Sequence, residues 1–436
     1  MANRDVDPGP AGIPASASFR YEGGALHADG HSLEAVADQV GTPAYVYSAA
    51  AIDAAYRGID AALSKVPHVV AYAVKANGNL AILSRLAAAG CGADIVSGGE
   101  LKRALAAGFP PSRIVFSGVG KTDDEIRAAL EAGIRSIHAE SAGEVEAIEA
   151  IAGELGTKAP IALRVNPDVD AKTHPYISTG LHSTKFGLEL DVAEALLPRL
   201  LESPALELEG IACHIGSMVL DPDPIGEAVE IVARFARRCA DAGAPIRTVD
   251  AGGGWPILYG DEGREAAGHA TFGRVITDAL ERGGGDGFEL MVEPGRSVVG
   301  DAGVLLTRVL YTKQQGDKRF VVVDGAMTEL IRPALYGAYH ATVPVREPAA
   351  DAAMEPVDLV GPVCESGDFL AKDRPMPPLQ RGDLIAIRGA GAYSAVMASN
   401  YNSRPFAPEV LVIDGQAKVI RQRQSVEDLW RDETKG

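Results

Sequence analysis

Eight short apolar segments, each followed by a longer amphipathic stretch, succeed one another between Pro67 and Arg296. They are rich in Val, Ile and Ala and are bounded by Gly, Asn, Ser or Asp, which is typical of buried parallel strands. The segments are His68–Val74, Gly92–Val96, Arg113–Phe116, Arg135–Ala139, Ile161–Val165, Glu209–Ile215, Arg247–Ala251 and Glu289–Val292. Eight strand–helix units in succession predict a (β/α)₈ barrel, and the pattern leaves an open doubly wound parallel sheet as the alternative.

The pattern changes after Gly300, where strand-like segments follow one another with little helical spacing between them. The sequence Asp414-Gly415, with apolar runs on both sides, predicts a two-residue hairpin turn. We therefore expect a flexible tail at 1–18, a segment at 19–43 that joins a β domain, a barrel at 44–300 and an antiparallel β domain at 301–436.

The composition narrows the function classes. The formal net charge of −18 disfavours nucleic acid and anionic membranes as partners, because both require basic patches. No apolar run reaches membrane-spanning length. The four cysteines lie far apart and no secretory signal is visible, so the sequence predicts reduced thiols in a cytoplasmic protein without a metal site.

Residues that could take part in catalysis or cofactor binding stand at the carboxyl ends of the predicted strands, where barrel active sites are built. Lys75 follows the first strand, and an apolar wall would lower the pKa of its amine and make it nucleophilic. Taken alone, it is better explained as a lysine at the barrel rim with its ammonium in water. His214, Gly252–Gly254 and Glu293 follow the sixth, seventh and eighth strands, and each alone is compatible with a structural role.

Together these residues are much harder to explain structurally. Consecutive glycine N–H groups, aided by the Ser217 hydroxyl, can bind a phosphate. Pyridoxal phosphate needs such a site, a lysine that attaches it and a partner for its pyridine nitrogen. The set therefore predicts an enzyme that uses pyridoxal 5'-phosphate.

The motifs around these residues resemble the alanine-racemase-like family of pyridoxal-phosphate enzymes and, within it, the decarboxylases of diaminopimelate, ornithine and arginine. The resemblance extends from about Thr42 to Leu429. The motifs are A-V-K-A-N at Lys75, H-I-G-S at His214, G-G-G at Gly252, E-P-G-R at Glu293, G-P-V-C-E-S-G-D around Cys364 and G-A-Y at Tyr393. The resemblance implies a (β/α)₈ barrel with a C-terminal antiparallel β domain.

The resemblance implies a role for each matched residue. Lys75 would bind the cofactor covalently, His214 would stack on its ring and Glu293 would pair with the pyridine nitrogen. Further contacts to phosphate or ring are implied for Ser217, Gly252, Gly253, Gly254, Gly295, Arg296 and Tyr393. Cys364 of a second chain would protonate the carbon that has lost carbon dioxide, so the active site would be shared in a homodimer. Taken alone, Cys364 would be expected to be a small buried hydrophobic residue.

The segment Met327–Tyr336 resembles that of enzymes acting on diaminopimelate, which carries a second amino-acid head. Arg296, Arg332, Tyr336 and Tyr393 are thereby implied to contact the substrate, the first three at the distal carboxylate. A planar guanidinium suits a carboxylate, although composition alone explains Arg332 equally well as a surface ion pair. Glu365 would take the distal ammonium.

The implied reaction is decarboxylation of meso-2,6-diaminopimelate to L-lysine and CO₂, the last step of lysine biosynthesis. Glu293 stands where the racemases of this family carry an arginine, which favours decarboxylation. Two alternatives stay open: a related decarboxylase of another or a carrier-bound amino acid, and a non-catalytic cofactor-binding protein. The resemblance also implies an ion pair between Lys185 and Asp368 of the partner subunit.

Overall fold

The computed structural model describes residues 18–170, 185–260 and 266–436, which form two compact units. The barrel unit contains residues 55–170, 185–256 and 266–297. The β-rich unit contains residues 18–54, 257–260 and 298–436. The tail expected at 1–18 lies outside the described residues, apart from Ser18.

The described part of the barrel unit contains eight strands in a closed ring. Numbered one to eight along the chain, they are His68–Ala73, Gly92–Ile95, Ile114–Phe116, Ser136–Ala139, Ala159–Asn166, Leu206–Ala212, Thr248–Asp250 and Glu289–Val292. Each pairs in parallel with its neighbours, and strand eight pairs with strand one. Strand four also pairs with strand five, which closes the ring, so the barrel prediction is confirmed and the open sheet is excluded.

One helix follows each of the first seven strands. These helices are Leu80–Ala88, Gly98–Ala106, Asp123–Ala132, Ala142–Leu155, Leu190–Glu202, Asp223–Asp241 and His269–Arg282. The helix Asp123–Ala132 begins at a capping box formed by Thr122 and Glu125 and ends at Gly133, which has a φ of 67°. A short strand, Leu188–Glu189, pairs with strand five, and the short helix Arg296–Val299 follows strand eight.

The β-rich unit is built from strands that precede and follow the barrel in sequence. Its strands are Phe19–Glu22, Ala25–Ala28, His31–Ser32, Ala44–Ser48, Gly303–Gln315, Lys318–Val323, Thr342–Pro344, Glu355–Val360, Phe369–Met376, Leu384–Arg388, Glu409–Ile413 and Gln416–Arg421. Its helices are Leu33–Val40 and Arg332–Tyr336. A third helix, Ala49–Ala62, begins in the β-rich unit and continues into the barrel unit. The hairpin turn occurs as predicted, with positive φ at both Asp414 and Gly415.

Two features of the β-rich unit differ from the expectation. Ala44–Ser48 was expected in the barrel, but it pairs with Gly303–Gln315 and Glu409–Ile413 in the large sheet. Two pairings of that sheet are parallel, namely Ala44–Ser48 with Glu409–Ile413, and Lys318–Val323 with Glu355–Val360. Strands distant in sequence carry no hairpin constraint, so either direction satisfies their backbone hydrogen bonds.

The core of the β-rich unit collects apolar side chains from both ends of the chain. Phe19 and Leu26 of the first hairpin pack with Val304, Val343 and Val410 of the large sheet. Across the described residues, no helix has both the length and the apolar character that a membrane crossing requires.

Candidate active site

Lys75 lies in a single 3₁₀ turn, Val74–Ala76, directly after strand one. Its Nζ donates to Oδ2 of Asp94 at 2.7 Å, and the Asp94 carboxylate is fully buried in strand two. The expectation of an apolar wall around Lys75 is therefore incomplete. The lysine side chain is 35% exposed, so the amine is both anchored and accessible.

The three glycines after strand seven allow a close backbone approach that no other residue permits. A Cβ added to Gly252, Gly253 or Gly254 would lie 2.3–2.6 Å from a backbone oxygen of a neighbouring loop. Gly252 and Gly254 also have positive φ, at 66° and 95°. The run thus forms a close-packed backbone cradle after strand seven. Because the Gly252 N–H donates to Asp250 and the Gly253 N–H to His214, phosphate binding by these groups stays a prediction.

His214 contacts this cradle directly. The Gly253 N–H donates to His214 Nδ1 at 3.0 Å, which places the ring proton on Nε2. Burial drives the pKa of His214 well below its usual range, so the imidazole is neutral. A neutral, fixed ring is suited to stacking against a flat cofactor.

Glu293 follows strand eight and is 7% exposed. Ser117, directly after strand three, donates to Glu293 Oε1 at 2.9 Å and lies 3.1 Å from Nδ1 of His138. The same His138 nitrogen is 4.0 Å from Oδ2 of Asp250, the last residue of strand seven. Side chains in or directly after strands three, four and seven therefore lie beside Glu293.

The buried carboxylates disfavour one another's ionised form. Burial, and then the neighbouring Asp250 and Asp94, raise the pKa of Glu293 well above its usual range. Burial, with Asp94 adding to it, raises the pKa of Asp250 to about 7. Burial and the cations Lys121 and Arg164 lower the pKa of His138 to about 3, so this imidazole adds no positive charge at neutral pH.

A positive group placed against this cluster would relieve the repulsion. The ligand atoms of His138, Asp250 and Glu293 lie within 4.8 Å of one another, a set that could hold either a metal ion or a protonated ring nitrogen. Pyridoxal phosphate fits better. Lys75, which is predicted to attach the cofactor, and Gly252–Gly254, which are predicted to bind its phosphate, stand at the same barrel mouth, and neither serves a metal ion.

Arg296 opens the short helix after Glu293 and is 6% exposed. Its Nη2 donates to Ser217 Oγ at 3.2 Å, which brings together two residues that the sequence assigns to phosphate or substrate. Gly295 packs against the end of strand one and the turn after it, because a Cβ there would lie 3.1 Å from the Cβ of Ala73 and 2.9 Å from that of Ala76. The barrel-unit candidates thus converge on one end of the barrel.

The remaining candidates belong to the β-rich unit. Arg332 is buried, Tyr336 and Tyr393 are half-buried, and Cys364 and Glu365 are exposed. Tyr393, Cys364 and Glu365 lie in loops.

Two of these loops carry local constraints. Tyr393 has a φ of 55°, a conformation that non-glycine residues rarely adopt and that is concentrated at functional sites. The Cys364 N–H donates to Asn402 Oδ1 at 2.8 Å. Asp368 is buried, and its carboxylate accepts the N–H groups of Met327 and Val363; the ion pair with Lys185 of the partner subunit stays a prediction.

Asp94, Ser117, His138 and Asp250 belong to this site but were not predicted from the sequence. Each is a polar side chain in or directly after a short apolar strand, and burial of such a group is costly without a partner. That pattern could have marked these residues as candidates for a buried site. Their partners could not be identified from the sequence, because they come from strands two, three, four and seven.

Comparisons with known proteins agree with this geometry. Residues 49–300 match the family described as pyridoxal-dependent decarboxylase, pyridoxal binding domain. The chain is 50% identical to the diaminopimelate decarboxylase of Pseudomonas aeruginosa, over 96% of this chain and 99% of that protein. It is 46% identical to the Vibrio cholerae protein of the same name, over 94% and 97% of the two chains.

Solved structures give the same result. The crystal structure of diaminopimelate decarboxylase from Helicobacter pylori complexed with L-lysine has a TM-score of 0.87 and 44% identity, over 92% of this chain and 98% of that one. The crystal structure of diaminopimelate decarboxylase from m. jannaschii in co-complex with L-lysine has a TM-score of 0.91 and 35% identity, over 96% of this chain and 98% of that one. The chain belongs to the pyridoxal-dependent decarboxylases, in the family of the diaminopimelate decarboxylases.

Proposed function

We propose that this protein decarboxylates meso-2,6-diaminopimelate to L-lysine and CO₂ with pyridoxal 5'-phosphate, as the last step of lysine biosynthesis. The proposal rests on the buried acidic cluster around Glu293, because a cationic ring nitrogen placed there would stabilise the ionised carboxylates. The names of the relatives, and the lysine in the Helicobacter pylori structure, support the choice of substrate and product.

The barrel unit supplies the residues that would hold the cofactor. Bound pyridoxal phosphate supplies an electron-withdrawing ring that accepts the electron pair left when carbon dioxide departs. Lys75 would attach it, and Asp94 holds the amine of Lys75 in place. Glu293 would keep a proton at the ring nitrogen, and the neutral His214 ring lies beside the glycine cradle without adding charge.

The β-rich unit supplies the residues proposed for the substrate. Arg332 and Tyr336 would bind the distal carboxylate, and Glu365 would bind the distal ammonium. Tyr393 would line the same site. Cys364 would deliver a proton to the carbon atom that has lost its carboxylate, which completes the exchange of CO₂ for H.

We propose that the enzyme acts as a cytoplasmic homodimer. The exposed positions of Cys364 and Glu365 support a dimer, because a proton donor open to bulk water cannot control protonation unless another surface covers it. The cysteines are all free, which suits a reducing compartment.

The experiment is carbon dioxide release by the purified holoenzyme from meso-diaminopimelate, ornithine, arginine and lysine in parallel. We expect release from meso-diaminopimelate alone, with lysine formed in equal amount. Release from another substrate only would keep the cofactor chemistry and discard the substrate assignment. A cofactor-bound protein without release from any of them would overturn the proposed reaction.

A further inference from the structure

Arg332 is fixed by a histidine that the sequence analysis did not single out. Its Nη1 lies 2.8 Å from Nε2 of His340, and both side chains are buried. A guanidinium can only donate, so Nε2 of His340 must be the acceptor. His340 Nδ1 lies 2.8 Å from the backbone oxygen of Arg388, which can only accept, so Nδ1 carries the proton.

The two partners therefore select one tautomer of a neutral ring. A proton on Nε2 would point at the guanidinium and break the contact with Arg332. The histidine acts as a rigid spacer between the backbone of the strand Leu384–Arg388 and the guanidinium. The plane and position of the Arg332 head group are set through this spacer.

Tyr259 fixes the same guanidinium from another direction. The Arg332 Cζ lies 4.6 Å from the centroid of the Tyr259 ring, within cation–π range. The His340 ring meets Tyr259 edge-on with centroids 4.8 Å apart. Gly389, with a φ of 68°, makes this packing possible, because a Cβ there would lie 2.8 Å from the Tyr259 ring.

We propose that His340 and Tyr259 are positioning residues that hold Arg332 in the orientation required to bind the distal carboxylate of the substrate. The proposal rests on the proposed function, in which Arg332 contacts that carboxylate. Two parallel hydrogen bonds between a guanidinium and a carboxylate require the two planes to match. A head group fixed beforehand loses less conformational freedom when the substrate binds.

A matched pair of variants separates the hydrogen bond to Arg332 from simple space filling. The amide of glutamine reaches roughly the position of histidine Nε2, whereas that of asparagine reaches roughly the position of Nδ1. In the holoenzyme, we expect His340→Asn to raise the KM for meso-diaminopimelate and the Kd for L-lysine about ten-fold or more, with kcat changed less than about three-fold. His340→Gln should retain most of the affinity.

Cadaverine provides the matching ligand control, because it keeps the two amines of lysine but has no carboxylate. Its Kd should change little in His340→Asn. Equal losses in His340→Asn and His340→Gln, or an equal loss of cadaverine affinity, would overturn the positioning role. If His340→Asn does not fold, Tyr259→Leu makes the same test through the ring contact and should weaken L-lysine binding but not cadaverine binding.

An Arg332→Gln variant distinguishes failure of this inference from failure of the proposed function. We expect it to weaken L-lysine binding more than His340→Asn does. If Arg332→Gln leaves L-lysine binding unchanged, Arg332 does not bind the carboxylate and the substrate assignment fails. If Arg332→Gln weakens binding and His340→Asn does not, only the positioning role fails.

Discussion

At the barrel mouth, Asp94, Asp250 and Glu293 are buried and tied to neighbouring strands. In the β-rich unit, Cys364 and Glu365 stand exposed on a loop. The barrel residues sit at the ends of strands in a closed ring, so each side chain has fixed neighbours on both sides. The loop residues are held mainly through their backbone, for example by Asn402 at Cys364.

This difference separates two kinds of preorganisation. A single chain already contains a charge environment suited to a cofactor, because its buried carboxylates face one another. The residues proposed for proton delivery and ammonium binding lack the dry surroundings that such chemistry needs. The comparison therefore predicts that cofactor binding depends mainly on the barrel mouth and that turnover depends on both regions.

Replacing Lys75 tests the barrel half and should have the largest effect. Lys75→Ala removes the proposed attachment point, so we expect turnover to fall by about 10³-fold or more and the visible absorption of the bound cofactor to be lost. Lys102→Ala, on the exposed face of the helix Gly98–Ala106, is the control and should change neither. An unchanged absorption band in Lys75→Ala would refute the attachment.

Mixing two inactive variants tests whether the exposed loop is completed by a second chain. After subunit exchange, Lys75→Ala and Cys364→Ala should regain about a quarter of wild-type activity, because half the dimers are mixed and each mixed dimer holds one intact site. Cys364→Ala alone should keep the cofactor spectrum. Mixing Lys75→Ala with the double variant cannot rebuild a site and should stay inactive.

Copurification through an affinity tag carried by only one of the two variants would confirm that they form mixed dimers. Full exchange without any recovered activity would contradict a site shared between two chains, and the exposed position of Cys364 would then need another explanation.

The same comparison shows what the sequence could reveal. The barrel strands, Lys75, the Gly252–Gly254 cradle and Glu293 were predictable, because strand periodicity fixes which residues stand at a barrel mouth. Asp94 and His138 were not assigned, since a single polar residue inside a short apolar strand gives no indication of its partner. The strand Ala44–Ser48 was assigned to the wrong domain, because pairing between strands more than 250 residues apart leaves no local pattern.

The buried carboxylates also predict a pH effect on stability in the cofactor-free protein. The pKa of Asp250 is raised to about 7 from an ordinary value of 3.8, so the folded chain keeps a proton that the unfolded chain loses near pH 4. Stability is therefore greatest below pH 4 for this group and falls as the pH rises towards 7, by on the order of 2–4 kcal/mol.

Asp250→Asn isolates this contribution. An asparagine oxygen can still accept the Gly252 N–H, which now donates to Asp250 Oδ1 at 2.7 Å. Urea unfolding of both cofactor-free proteins at pH 5 and pH 7 should show a larger loss of stability in the wild type than in the variant. Parallel losses would mean that Asp250 is ionised in the folded protein and that the acidic cluster is not under electrostatic strain.

Ser117→Ala should have the smallest effect, and it tests whether the network around Glu293 contributes beyond the charges themselves. The Ser117 hydroxyl bonds Glu293 at 2.9 Å and contacts His138 at 3.1 Å, so its loss removes one buried hydrogen bond while leaving every charge in place. A loss of about 1 kcal/mol predicts cofactor binding weakened about five-fold, measured by titration of the apoprotein. Ser141→Ala, at the exposed N-cap of the helix Ala142–Leu155, removes a hydroxyl that accepts the Glu144 N–H and should leave the cofactor Kd unchanged. If Ser117→Ala also leaves that Kd unchanged, the strands position Glu293 without help from the hydroxyl, and the preorganisation of the barrel mouth lies in its backbone and charges alone.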